Sequence, residues 1–363
     1  MSDSLRQTVE AELARIHEPY LDTDLMSARA VRSMECEDRR VTLELDLGFP
    51  CGRYGQSLAE QVQARLEGLD AIDQADVTVG FTVAARSVQA QLKRIDGVAN
   101  IIAIASAKGG VGKSTVAANF ALALAADGAN VGLLDADIYG PSQPRLMGID
   151  TRAKAAGENV IEPVDAHGLK TMSIGYLIDK DSPAILRGPM VTSALQQMLF
   201  QSAWGELDYL IIDLPPGTGD IQLTLSQKIP VSGAVVVTTP QDLSLIDARK
   251  GVEMFNKVNV PVLGIVENMS THICSKCGHE EHIFGEHGGQ SLADEYDVDL
   301  LGQLPLDISI REYADSGKPS VVAEPESQIA QAYFDIARHA SARLSRQKKD
   351  YASKFPNIKV ENN

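Results

Sequence analysis

Cysteine is almost missing from this sequence: Cys36, Cys51, Cys274 and Cys277 are all that occur in 363 residues. That excludes a disulfide-stapled scaffold and leaves one close pair, 274 and 277, for metal or redox chemistry. No apolar run reaches the roughly 18 residues needed to span a bilayer. The first segment, MSDSLRQTVEAELARI, mixes both charge signs and lacks the basic start and apolar centre of a secretory signal. Cytoplasmic localisation with no membrane partner is therefore the expectation. Basic charge is in deficit, 33 Lys+Arg against 49 Asp+Glu for a net −16. Such a balance argues against a broad electrostatic surface for DNA or RNA, so no nucleic-acid partner is expected. Internal repeats and low-complexity stretches are also absent. What remains is an ordinary globular composition, long enough for one large α/β unit and a smaller one.

Residues 1–90 read as a small α+β unit. A helical stretch runs through Val9, Leu13 and Ile16 and ends near His17-Glu18-Pro19, because proline disfavours helix in the residue before it. Residues 41–47 and 75–81 alternate apolar and polar positions, the pattern of half-buried strands, and 56–69 has helical amphipathicity. A polar segment, 87–100, is expected to link this unit to the next, with 91–100 as the linker proper. From Ile101 the texture changes to apolar runs with little alternation: 101–105, 131–134, 209–212, 234–237 and 262–266. Runs of that kind fit strands buried on both faces of a parallel sheet. Helical stretches between them, such as 115–127 and 245–258, predict a doubly wound, mainly parallel α/β sheet over 101–345. A polar tail is expected over 346–363.

The loop after the first apolar run reads Lys108-Gly109-Gly110-Val111-Gly112-Lys113-Ser114-Thr115. Its glycines let backbone N–H groups approach phosphates at a helix N-terminus, which makes it a nucleotide loop of a P-loop NTPase. Lys113 is expected on the β- and γ-phosphates of ATP, the Ser114 hydroxyl on Mg2+ and Thr115 near the α-phosphate. Where the common pattern has a leading glycine this chain has Ala107, followed by the additional Lys108. KGGVGKS thereby resembles the deviant Walker A loop of the ParA, MinD and nitrogenase iron-protein class. The resemblance implies that Lys108 reaches the partner's phosphates across a dimer interface, as an arginine finger does.

Two acidic strand ends complete this reading. Asp135 and Asp137 follow the strand 131–134, at the sheet edge where ligands bind in such folds. Resemblance assigns Asp137 to the attacking water and Asp135 to support of the loop. Asp213 ends the strand 209–212 and is expected to hold Mg2+ through water. Residues 214–220, LPPGTGD, read as a switch loop sensing the γ-phosphate. Asn268 is a candidate adenine reader, with a turn-forming asparagine as the competing reading.

Cys274-Ser275-Lys276-Cys277 supplies two thiolates, whereas a tetrahedral zinc or a four-iron cluster needs four ligands. Two completions stand open on the residues alone. A symmetric dimer would join two pairs on its axis. Alternatively His272, His279, His282 or His287 would close a zinc site within one chain.

Together the phosphate loop, LLDADIYGPSQP at 133–144, DYLIIDLPPGTGD at 208–220, TTPQ at 238–241, and GIVENMS followed by CSKCG resemble the Mrp/ApbC family of iron–sulfur cluster carrier ATPases. The amino-terminal unit is similar to the small iron–sulfur-assembly-associated domain that often precedes this ATPase. The resemblance implies a homodimer in which Cys274 and Cys277 of both chains hold a [4Fe-4S] cluster. It further implies transfer to apo iron–sulfur proteins, supply from a cluster-assembly scaffold, and slow ATP hydrolysis coupled to that transfer. A positioning ATPase like MinD or ParA, with the cysteines as a structural zinc site, is the alternative. Cys51 lies where the small domain often carries a reactive cysteine, although a buried thiol is the expectation here.

Overall fold

The structure, a computed structural model, describes residues 2–89, 92–178, 188–274 and 276–349. Tail residues 350–363, linker residue 91 and Ser275 lie outside them. The small unit starts with α1 (Ser2–Leu13) and continues through β1 (Val31–Glu37), β2 (Arg40–Asp46), α2 (Gly52–Glu67) and β3 (Gln74–Gly80). β1 pairs antiparallel and β3 parallel with the central β2. Alternation does its work in β2: Val41, Leu43 and Leu45 are buried while Thr42 and Glu44 face solvent. Leu58, Val62 and Leu66 of α2 cover the same face together with Val9 and Leu13 of α1. The first helix ends at Leu13, not beside the proline. Arg15 and Ile16 instead bond the carbonyls of Glu12 and Leu13, a tighter turn that buries Ile16. The edge strand β1 gave no readable alternation, since VRSMECE carries three charges in seven residues.

The large unit contains β4 (Val98–Ala105), α3 (Lys113–Ala126), β5 (Val131–Asp135), β6 (Val164–Ala166), β7 (Leu169–Ser173) and α4 (Gly188–Phe200). It continues with β8 (Leu207–Asp213), α5 (Asp220–Lys228), β9 (Gly233–Thr238), α6 (Asp242–Lys257), β10 (Val262–Asn268), α7 (Gly288–Tyr296), β11 (Leu300–Leu304) and α8 (Gln328–Ser345). The sheet order is β6-β7-β5-β8-β4-β9-β10-β11, parallel throughout except for the β6–β7 hairpin at one edge. Neighbouring apolar residues go to opposite faces: Leu134, Ile212 and Val236 into one core, Leu133, Ile211 and Val235 into the other. That division is why the runs showed no alternation.

The stretch expected as a linker is packed. Ile95 is buried, β4 already begins at Val98, and the Asn100 side chain accepts from Arg86 N at 2.9 Å. At the other end, α8 lays Tyr333, Phe334, Ala337 and Leu344 against α3 and β11. Its apolar face is thereby used inside the fold, and among the described residues no helix is long and apolar enough to cross a membrane.

Candidate functional site

Parallel order brings the carboxyl ends of β5, β8 and β4 side by side, with Asp213 in register with Asp135 on one flank and Ile104 on the other. The phosphate loop leaves β4 at Ser106. Gly110 and Gly112 take left-handed φ values of 84° and 86°, which a side chain would strain, and a Cβ on Gly112 would run into the Asn268 amide. Lys113 opens α3 as expected. Its ammonium, only 6% exposed, pairs with the Asp213 carboxylate and lies 3.3 Å from the Ser114 hydroxyl. Lys108 is exposed on the same loop and has no ion pair among the described residues.

Gln143, to which the sequence reading gave no role, ties these parts together. Its Nε2 donates to the Asp213 carboxylate at 2.9 Å and to the Ser114 carbonyl at 3.0 Å, and its backbone N–H donates to Asp135 at 3.1 Å. The Gln143 Oε1 is buried without a partner. Asp135 also accepts from the Ser173 hydroxyl and from Asp137 N–H, both at 3.1 Å. Asp135 thus braces the loop that carries Asp137, which itself accepts from Gly140 N–H at 3.3 Å. The switch segment 214–220 is joined to the phosphate loop by one bond, Gly217 N–H to the Ser106 carbonyl at 2.9 Å. Asn268 donates to the Val111 carbonyl at 2.8 Å, so in this structure its amide braces the loop. The bonds that tie the strands together, Gln143 to Asp213 and Asn268 to Val111, join residues far apart in sequence, which is why only the glycines and strand ends could be read directly.

Burial, and then the neighbouring Asp213 charge, push the Asp135 carboxyl up to about 7. Asp137 is raised as well, first by burial, with Lys113 opposing. A carboxyl raised in the folded state holds a proton there that the unfolded chain has already released. Stability of the nucleotide-free protein should therefore fall as pH rises from the unfolded value of 3.8 toward about 7. Asp135→Asn should flatten that slope and raise stability at pH 8. Urea unfolding midpoints of both proteins across this range give the check, and parallel curves would contradict it.

The cysteine motif follows β10 on the same sheet edge. Residues His272–Ile273 pair with Glu280–Glu281, Cys274 N–H donates to the His279 carbonyl at 2.9 Å, and Gly278 N–H donates to the Cys274 carbonyl at 2.8 Å. The Lys276 backbone N–H, followed by that of Cys277, lowers the pKa of the Cys274 thiol. Exposed Ile273 and Ile283 lie on the same excursion of the chain. The alternative completion, a zinc site closed within one chain, is not assembled among the described residues. His272 and His282 direct Nδ1 to the Leu306 and Ser270 carbonyls, and His279 and His287 lie beside glutamates. Among the described residues no group of three or more His, Cys, Asp and Glu side chains comes together as a ligand set. Cys51 is buried, and burial pushes its thiol up to about 12, so it has the character of a core residue.

Residues 97–341 match the family model described as NUBPL iron-transfer P-loop NTPase, and residues 6–79 match the one described as iron-sulfur cluster assembly protein. The chain belongs to the iron–sulfur carrier P-loop NTPases. Among its relatives is an iron-sulfur cluster carrier protein of Pseudomonas fragi, 57% identical over 76% of this chain and 97% of that one. Another, from Salmonella typhimurium, is 50% identical over 94% and 93%. A mouse relative named iron-sulfur cluster transfer protein NUBPL is 52% identical over 69% of this chain and 80% of its own length. A solved nucleotide-binding protein from Archaeoglobus fulgidus, in complex with ADP, aligns with TM-score 0.55 at 39% identity, covering 66% of this chain and 93% of that one. The Pyrococcus furiosus cell division ATPase MinD, TM-score 0.50 at 24% identity over 66% and 97%, shares the fold.

Proposed function

We propose that this carrier-family NTPase binds and hydrolyses ATP and holds a [4Fe-4S] cluster as cargo between two copies of the chain. The ligands are Cys274 and Cys277 of each copy, and the cluster passes to apo iron–sulfur proteins after delivery by an assembly scaffold. The supporting observation is the half-finished ligand set: a two-thiol turn, Cys277 exposed and Cys274 half-buried, with no third ligand grouped with it among the described residues, six residues beyond the asparagine that braces the phosphate loop. Four thiolates complete a cluster, and a two-fold axis supplies two more. On this reading the protein works in the cytoplasm and needs neither a membrane nor a nucleic acid. Residues 1–90 form a separate small domain ahead of the ATPase.

Each site residue has a distinct task. The phosphates take Lys113 away from Asp213, and the N–H groups of Gly109 to Thr115 close around them. Asp213 and Ser114 then offer the oxygen donors that Mg2+ favours, and the unpaired Gln143 Oε1 can accept from water there, so this donor set fits that ion. Bound Mg2+ supplies neutralisation of phosphate charge. Asn268 reads the adenine once its bond to Val111 is released. Asp137 orients the attacking water, and Lys108 of the partner copy stabilises the charge that develops on the transferred phosphoryl group. Loss of that group frees the 214–220 segment, and opening of the dimer makes turnover slow.

Anaerobic reconstitution should give about four iron and four sulfide per dimer. The Cys274→Ser, Cys277→Ser variant should retain less than about a tenth of that while still binding ADP, since no other described ligand group exists. A wild-type protein that stays monomeric in every nucleotide state with its metal satisfied inside one chain would falsify this function.

A further inference from the structure

An excess of acid covers this protein, and most surface arginines are spent on it. Arg39 pairs with Asp73, Arg53 with Glu326, Arg249 with Glu295 and Arg311 with Asp315. One place departs from this. A groove of about 810 Å³ lies where the small unit meets the end of α8, and Arg29, Arg32, Arg346 and Lys349 line it. All four are exposed and none has an ion pair among the described residues. The single carboxylate of the lining, Asp46, is turned to backbone donors, accepting from Gly48 N–H and Thr82 N–H at 2.9 Å each. Four exposed cations therefore face one lining carboxylate, in a chain of net charge −16.

The walls say what kind of anion fits. Leu21, Ala28, Val31, Leu47 and Ala84 alternate with the basic positions, and among the described residues no aromatic side chain lines the groove. Single-stranded nucleic acid is held by stacking on aromatic platforms, and none is offered. One wall is the start of β1, an edge strand whose outer side has no partner strand among the described residues. At that point the register with β2 shifts between Val31 and Ser33, leaving Arg32 as the bulged residue. An open strand edge beside an apolar and basic groove is the arrangement that takes an extended peptide, with main-chain bonds for affinity and side-chain pockets for selection. The segment 350–363 carries two lysines against one aspartate and one glutamate, so it brings no net negative charge to complement the groove.

We propose that this groove docks an extended acidic segment, with interspersed apolar residues, belonging to a protein partner. Steering by the four cations raises the encounter rate against the general repulsion between two acidic proteins. This docking is independent of the cysteine site and stands whether or not a cluster is carried.

The test uses the full chain and a fluorescein-labelled peptide of three Glu-Leu-Asp-Ser repeats, read by anisotropy at low salt. The Arg32→Glu, Lys349→Glu variant should weaken binding about tenfold or more, with MgADP binding and thermal melting unchanged. A second variant, Arg40→Glu, Lys154→Glu, makes the same charge change on exposed residues outside the groove and should leave peptide affinity within about twofold. Equal losses in both variants, or none in either, would overturn the proposal. So would tighter binding of a twelve-residue oligo-dT than of the peptide, which would assign the groove to nucleic acid.

Discussion

Lys113→Ala is expected to lower nucleotide affinity about a hundredfold and to abolish hydrolysis, because it removes charge-assisted bonds to two phosphates. It also strips the buried Asp213 of its only cationic partner among the described residues, beside an Asp135 that is itself buried. Because the Lys113 charge opposes protonation of Asp135, the nucleotide-free variant should hold the Asp135 proton to higher pH than the wild type does. Lys108→Ala is expected to behave differently. Its side chain is exposed and makes no ion pair in the isolated chain, so ADP binding and folding should be unaffected. Hydrolysis should nevertheless fall about a thousandfold, the effect of losing a cation that acts from the partner chain. Isothermal titration with ADP and single-turnover ATP cleavage separate the two variants. Equal ADP affinity in wild type and Lys113→Ala, or full hydrolysis by Lys108→Ala, would break the assignment.

Arg338→Ala should cost about 3–5 kcal/mol of stability, the usual penalty for stranding one member of a buried ion pair. Arg338 donates to the Asp127 carboxylate from Nε at 2.7 Å and from Nη2 at 3.0 Å, and both side chains are almost fully enclosed. Its guanidinium also lies 5.2 Å from the Phe334 ring centre and 5.8 Å from those of Tyr20 and Tyr54. Asp127 caps the carboxyl end of α3, where a negative charge meets the negative pole of the helix. It is tolerated because Arg338 and the first turn of α2 both answer it: Gly52 N–H donates to the Asp127 carbonyl at 3.0 Å and Arg53 N–H to its carboxylate at 3.2 Å. A Cβ on Gly52 would meet that carbonyl at 2.9 Å, so the approach itself needs glycine. The melting temperature should drop by roughly 10 °C. A paired Arg338→Met, Asp127→Asn change should recover more than half of the loss, since the stranded charge is gone. No loss in the single variant would show that the pair carries no stability.

How legible the molecule was depends on the distance over which each feature is specified. The five buried strands and the phosphate loop follow from contiguous residues: apolar runs that need two covered faces, and glycines at positions where φ must be positive. Gln143 sat in plain view within GPSQP, but its meaning depends on Asp213, 70 residues away. The edge strands β6 and β11, and β7 beside β6, escaped notice because strands of three to five residues carry little pattern of their own.

The sequence by itself determined the nucleotide chemistry, the parallel sheet and the pair of thiols, since each is written in a local run with a local physical cause. Tertiary structure alone decided which groups share a charge or a bond. It buried Asp135 beside Asp213, joined Asp127 to Arg338 across 211 residues, set the Nδ1 atoms of His272 and His282 on backbone carbonyls, and gathered four exposed cations into one groove. Electrostatic and hydrogen-bond energies depend on separation in space and on exclusion of water, and chain order fixes neither until the layers have packed.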